Sequence, residues 1–253
     1  MQKLPFNQIV NLIREKFPNE LIFENKLRNL LGITPRHHDC IETVSVLLKL
    51  HKPIRICDIG ASKGYWTYVL HKLNPRLRHA VLVEPQQKLY KDLEKISLGN
   101  VQKVIYSCGL GDKKGTGFIK GGTPSASFLD PSNQLKYFPK TLNNKKQEVA
   151  ISTLDNIYAT KKLPQPDLIK LDVQGFELNV LKGGKKTLPK TKYLVVELSF
   201  RQFYKSQPAL SDVIRFLERQ NYTMVSHGFE LRWSKNPAVI LQTDGIFKNM
   251  SFK

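Results

Sequence analysis

Apolar side chains recur at Phe6, Ile9, Val10, Ile13 and Phe17, the spacing of one helical face. Residues 39 to 51 repeat that period after Asp39, with Glu42 placed to complete a box-like cap, so the first fifty residues read as helical. The rhythm then changes. The short apolar runs "IRICDIG", "AVLVEP", "VIYSCGL", "DLIKLDV" and "YLVVELS" have strand length and are rich in β-branched residues. Between them lie helical patterns: residues 65 to 73 with Trp66, Val69, Leu70 and Leu73 on one face, and residues 86 to 98 with Leu89, Leu93 and Ile96. After the fifth run, Pro208 sits near the start of a pattern that aligns Leu210, Val213, Ile214 and Leu217.

Strands that are apolar throughout and alternate with helices imply a mostly parallel sheet covered on both faces, hence a doubly wound α/β domain. The end of the chain departs from this, because "YTMVSHGFELRW" and "PAVILQTDGIF" read as two strands with no helix between them, an antiparallel pair at one edge. The forty or so residues between the third and fourth runs exceed an ordinary connection. Their Gly, Pro and Ser cluster around "GGTPSASFLDPS", including Gly121, Gly122 and Pro124, reads as a hinged cover flanked by a small strand pair.

At 253 residues the chain can bury a sizeable core. No apolar stretch reaches the roughly 18 to 20 residues of a membrane span, and charges interrupt the start where a signal peptide would be apolar, so a soluble, cytoplasmic protein is expected. Cys40, Cys57 and Cys108 show neither disulfide nor zinc-site spacing, and no metal is expected. The formal charge of +19 suits an anionic partner such as RNA or a lipid surface, but with 30 Lys against 10 Arg a merely solvated surface is the preferred reading and the anionic partner the alternative.

The first strand-to-helix turn, "DIGASKG", lies where open α/β sheets bind ligands. Gly60 and Gly64 would let backbone approach a ligand, and Asp58 adds a carboxylate. The spacing is GxxxG, not the GxGxxG that cradles a pyrophosphate, and an acid here suits a cationic or hydroxyl-bearing ligand. Glu84, in "VEP" about twenty residues on, is placed to accept hydrogen bonds from ribose hydroxyls. Asp172 and Glu197 close two further strands, so four strand ends would point carboxylates at one rim. Lys170, on the same strand face as Asp172, must be paired in so apolar a run, with Asp172 or Glu197 as its partner.

"DIGASKGYW", "VEP", "GLGDKKG", "STLDNI" and "PDLIKLDVQGFELNVLKGG" followed by "YLVVELS" resemble the FkbM-type family of S-adenosylmethionine-dependent methyltransferases. The resemblance spans roughly residues 54 to 200 and is most specific at KLDVQGFE; Ser62 and Lys63 depart from the family's usual turn. It implies a class I fold with seven strands and an antiparallel final strand, with residues 1–51 a helical extension and 52–253 the methyltransferase domain. It also implies methyl transfer to a hydroxyl of a sugar, glycolipid or secondary metabolite, with S-adenosylmethionine as cofactor. Carried over by position, Asp58, Gly60 and Gly64 would line the methionine side, Glu84 would hold the ribose, and the segment around Ser107, Gly109 and Asp112 would border the adenine, with Ala61, Tyr65, Trp66 and Pro85 also in the cofactor site. Asp172 is the candidate base, with Glu197 and Lys170 setting its position and pKa.

Two other readings stay open on the sequence alone. A ribose 2′-O methyltransferase acting on RNA would explain the charge, and a non-catalytic binding module could keep the same fold. The His37 and His38 pair reads as solvated or capping, and His227, in the terminal strand pair, could reach the rim.

Overall fold

The structure, a computed structural model, describes residues 38–121, 126–137, 146–160 and 162–252. The helix expected over residues 6 to 17, His37, Gly122 and Pro124 lie outside them. Helix α1 (His38–Leu50) is followed by β1 (Arg55–Ile59), α2 (Tyr65–Leu73), β2 (His79–Val83), α3 (Gln87–Lys95) and β3 (Gln102–Tyr106). A small three-stranded sheet comes next, built from β4 (Gly109–Leu110), β5 (Gly115–Lys120) and β6 (Lys146–Ser152), with the short α4 (Gln134–Tyr137) between the last two. Then come α5 (Leu154–Thr160), β7 (Leu168–Leu171), α6 (Glu177–Lys182), β8 (Tyr193–Ser199), α7 (Leu210–Arg219), β9 (Tyr222–Trp233) and β10 (Asn236–Asn249).

The main sheet has seven strands in the order β3-β2-β1-β7-β8-β10-β9. Its five β-branched runs pair in parallel, and β10 runs antiparallel to both β8 and β9, as the terminal sequence implied. The strand order reverses direction at β1, which lies between β2 and β7, so the carboxyl ends of these strands frame the expected ligand crevice. The amino ends are tied by Asp167, whose carboxylate accepts the amides of Ile54 and Arg55 at 3.0–3.2 Å.

Three boundaries differ from the pattern. Asp39 lies inside α1 and not before it, because the helix already includes His38. The run "VIYSCGL" is two strands: β3 ends at Tyr106, and Gly109–Leu110 crosses to the small sheet, where β4 pairs in parallel with β6. Helix α3 ends at Lys95, since Ile96 is already extended (φ −64, ψ 118). The strand pair expected around the Gly- and Ser-rich loop is present as antiparallel β5 and β6.

Strand alternation divides the core into two layers. Cys57, Ile59, Ile169, Leu171, Leu194 and Val196 face one cluster with α5, α6 and α7. Ile56, Leu168, Val195 and Ile246 face the other, filled by Val44 and Leu47 of α1 and Trp66, Val69 and Leu70 of α2. That second face determines the site. Moving two residues toward the carboxyl end from Ile56, Leu168 and Val195 gives Asp58, Lys170 and Glu197, and two residues back from Ile246 on antiparallel β10 gives Asp244.

Candidate functional site

These side chains share the α1/α2 face of the sheet, and the registers set them abreast: Asp58 is opposite Lys170, and Glu197 opposite Asp244. Asp58 is fully buried. It accepts the Thr67 hydroxyl at 2.7 Å and stands 3.4 Å from the Lys170 ammonium. The same ammonium lies 3.4 Å from Asp172 Oδ2 and donates to the Gly60 carbonyl at 3.3 Å. Burial alone would lower the Lys170 pKa, but Asp172, Asp58 and Asp244 together outweigh it and hold the ammonium above its ordinary range.

Gln174 holds the carboxyl groups from the other side. Its backbone is left-handed (φ 56), which turns the side chain back over the strand end. The amide Nε2 donates to Asp172 Oδ1 at 3.0 Å and to both Glu197 oxygens at 3.3–3.4 Å, while Oε1 accepts the Tyr204 hydroxyl at 3.0 Å. Burial, then the neighbouring Asp172, Glu177 and Asp244, pushes the Glu197 pKa well above the ordinary carboxylate range. On β10, Asp244 Oδ2 accepts the Thr43 hydroxyl of α1 at 2.5 Å.

The turn carrying Gln174 is locked by Glu177, only 5% exposed, whose Oε1 accepts the amides of Val173 (3.0 Å) and Gly175 (3.1 Å). Burial pushes this carboxyl up to about 7. A carboxyl raised above its unfolded value stabilises the fold fully below that value, and the contribution is lost as pH rises through the folded one. Glu177→Gln keeps the acceptor oxygen and removes the titration. Relative to wild type it should therefore gain about 3 kcal/mol between about pH 4 and pH 8, read from urea midpoints. A pH-independent difference between the two proteins would show that Glu177 titrates normally.

A cavity of about 450 Å³ opens along these strand ends. Of the residues singled out in the sequence, Gly60, Trp66, Glu84, Pro85 and Gly109 line it, as do Lys170, Asp172 and Glu197. Asp58, Ala61, Gly64, Tyr65, Ser107 and Asp112 do not. Asp58 lies beneath the floor as the counter-ion of Lys170, and Glu197 pairs with Gln174, so the lysine's partners are Asp58 and Asp172. Ala61 is buried against Leu82 and Leu93, while Tyr65, Ser107 and Asp112 are exposed on the surface. Gly64 is needed for its positive φ and because a Cβ would fall 2.5 Å from Ile96 Cδ1, a packing role against the segment after α3. His227 is exposed and lies 3.6 Å from Glu230, outside the cavity lining.

At the other end of the cavity Glu84 is 5% exposed, its two oxygens accepting the amides of Ser62 and Gln86 at 2.9 Å each. Burial raises its pKa. Each oxygen keeps a further lone pair for a hydroxyl donor. The Trp66 indole N–H is buried without a hydrogen-bond partner among the described residues. Sequence reasoning missed Gln174, Tyr204 and Asp244, together with the rings Phe128, Phe203 and Phe229 that line the cavity beside them. No group of His, Cys, Asp and Glu able to hold a metal occurs among the described residues, nor does a helix long and apolar enough to cross a membrane.

Comparison with known proteins supplies the chemistry. The family model described as "Methyltransferase FkbM domain" matches residues 58–224. The chain is 33% identical over 181 residues to the 2-O-methyltransferase NoeI of Sinorhizobium fredii, covering 68% of this chain and 73% of that one. A crystal structure of methyltransferase FkbM from Methylobacillus flagellatus KT superposes with a TM-score of 0.50 at 16% identity, over 78% of this chain. This chain spans only 44% of that protein's length.

Proposed function

Because the chain belongs to the FkbM methyltransferase family and uses S-adenosylmethionine as its methyl donor, we propose that it methylates a hydroxyl of a neutral, sugar-like acceptor with Asp172 as the proton acceptor. The observation that carries this reading is the position of Asp172 on the cavity wall, clamped between Lys170 and Gln174.

The cavity fits the donor. Glu84 offers buried acceptors for two ribose hydroxyls, the floor at Gly60 and Gly109 has no side chains, and the unpartnered Trp66 N–H can serve a polar group of the ligand. When bound, S-adenosylmethionine supplies a methyl group on a cationic sulfonium, which neighbouring carboxyl groups tolerate. The protein's own work is orientation and proton handling. Gln174 and Lys170 fix the Asp172 carboxylate from two sides, so that it presents a set direction to an acceptor hydroxyl. Glu197, which lines the cavity beside Asp172, can hydrogen-bond a second oxygen of the acceptor. The rings of Phe203, Tyr204 and Phe229 offer apolar faces for the C–H side of a sugar ring. The 2-O-methyltransferase relative supports a hydroxyl as the atom methylated.

Transfer of a labelled methyl group to a panel of neutral saccharides should place label on a hydroxyl oxygen. Transfer to RNA alone would overturn the sugar-like acceptor. Glu84→Ala should weaken binding of S-adenosylhomocysteine by about 1–3 kcal/mol, since it removes two hydroxyl acceptors and frees two backbone amides, whereas Glu84→Gln should lose less. Equal affinity for all three proteins in titration calorimetry would move the ribose away from Glu84.

A further inference from the structure

Acids close the carboxyl ends of several parallel strands, and a set of bases lies at the amino ends. Lys52 and Arg55 lead into β1, Arg76 and Arg78 into β2, and Lys192 into β8, while Lys248 ends antiparallel β10 opposite Tyr193. Lys52, Arg76, Arg78 and Lys192 are exposed, and none forms an ion pair among the described residues. The buried acid of this rim, Asp167, is turned inward onto two backbone amides, and Glu218 of α7 is an exposed acid on its flank.

Large apolar side chains stand exposed among these cations. Leu50 is 41% exposed and Met250 57%. Both belong to the rim by contact: His51, which follows Leu50, stacks on Tyr193 at 4.8 Å, and the Asn249 amide, just before Met250, donates to the Lys192 carbonyl at 2.9 Å. Lys192 in turn lies 5.7 Å from the centre of the Phe252 ring. Helix dipoles account for bases in the last turns of α1, α2 and α7 but not for those in the loops before β1, β2 and β8, nor for exposed Leu and Met beside them.

We propose that this amino-end rim is a docking surface for an anionic phospholipid membrane. Lysines and arginines would meet the headgroup charge while Leu50 and Met250 enter the headgroup–acyl boundary. A nucleic acid would engage the bases but offers nothing to the two apolar side chains. Strands of about five residues at about 3.3 Å each separate rim and cavity by roughly 15–20 Å, so the docked protein opens its cavity away from the lipid.

The test is co-sedimentation of the full chain with vesicles of phosphatidylcholine, alone or with about one-third phosphatidylserine. The chain should sediment with the anionic vesicles only and be released by high salt. A Lys52→Gln/Arg76→Gln/Lys192→Gln variant should bind about 100-fold more weakly, from roughly fivefold per base. Leu50→Ser/Met250→Ser should also bind more weakly, although its charge is unchanged. S-adenosylhomocysteine affinity, unaltered in both variants, reports that they are folded. Equal sedimentation with both kinds of vesicle would overturn the proposal, as would undiminished binding by the serine variant. So would binding of an RNA homopolymer without sedimentation on anionic vesicles.

Discussion

Asp172→Asn is expected to reduce turnover by about 10² to 10⁴ while leaving S-adenosylhomocysteine affinity within a factor of a few. The substitution keeps the shape of the side chain and its bond from Gln174, which can reach the remaining carbonyl oxygen, so the loss isolates the proton-accepting role. The polar handles proposed for the donor are at Glu84, at the other end of the cavity, which is why affinity and turnover should separate. Single-turnover methyl transfer at saturating donor reads the first quantity and calorimetry the second. A variant that loses donor affinity but turns over normally at saturation would make Asp172 a binding residue.

The largest expected effect on stability lies next to it. Lys170→Met removes the ammonium between Asp58 and Asp172 and leaves Asp58, fully buried, without its counter-ion. Breaking a buried pair on one side costs about 3–5 kcal/mol, enough to unfold a marginal domain. Asp58→Asn/Lys170→Met takes away both charges and should recover most of that loss, whereas Asp172→Asn/Lys170→Met should not, because Asp172 is half-buried and already held by Gln174. Urea midpoints decide it. Lys170→Met with wild-type stability and no turnover would assign the lysine to chemistry instead of architecture.

Much of this arrangement could be read from the sequence, and the reasons differ by residue. The parallel strands announce themselves as apolar runs because both faces are covered. Their carboxyl ends are marked by the first ionisable residue after each run, which is how Glu84, Asp172 and Glu197 reached the cavity. Lys170 could be assigned to the Asp172 face from parity alone. Its partner Asp58 could not, because that pairing depends on the register of β1 against β7, and register is set by the whole sheet. Gly64 shows a related limit: a Gly in a turn signals close approach but not what approaches, and the side chain nearest to it here is Ile96. Gln174 was within reach, as a polar residue between a strand-end Asp and a Gly. Thr43 meets Asp244, and Tyr204 meets Gln174, across long stretches of chain that no local pattern relates.

Gly60 has a consequence for how such a protein can be altered. A Cβ there would sit 1.8 Å from the carbonyl oxygen of Asp172, and the Asp172 amide donates to the Ile59 carbonyl at 3.1 Å, so the turn after β1 and the strand end that carries Asp172 are interlocked backbone. Neither can shift without the other. The cavity wall proposed for the acceptor is assembled differently, from Phe128 in the connection after β5, Phe203 and Tyr204 after β8, and Phe229 and Leu231 on the terminal β9–β10 pair. The strand ends around Asp172 are thus rigid while the aromatic wall is modular. Grafting those three segments from a relative should transplant the choice of acceptor as a unit, leaving the catalytic geometry as it stands.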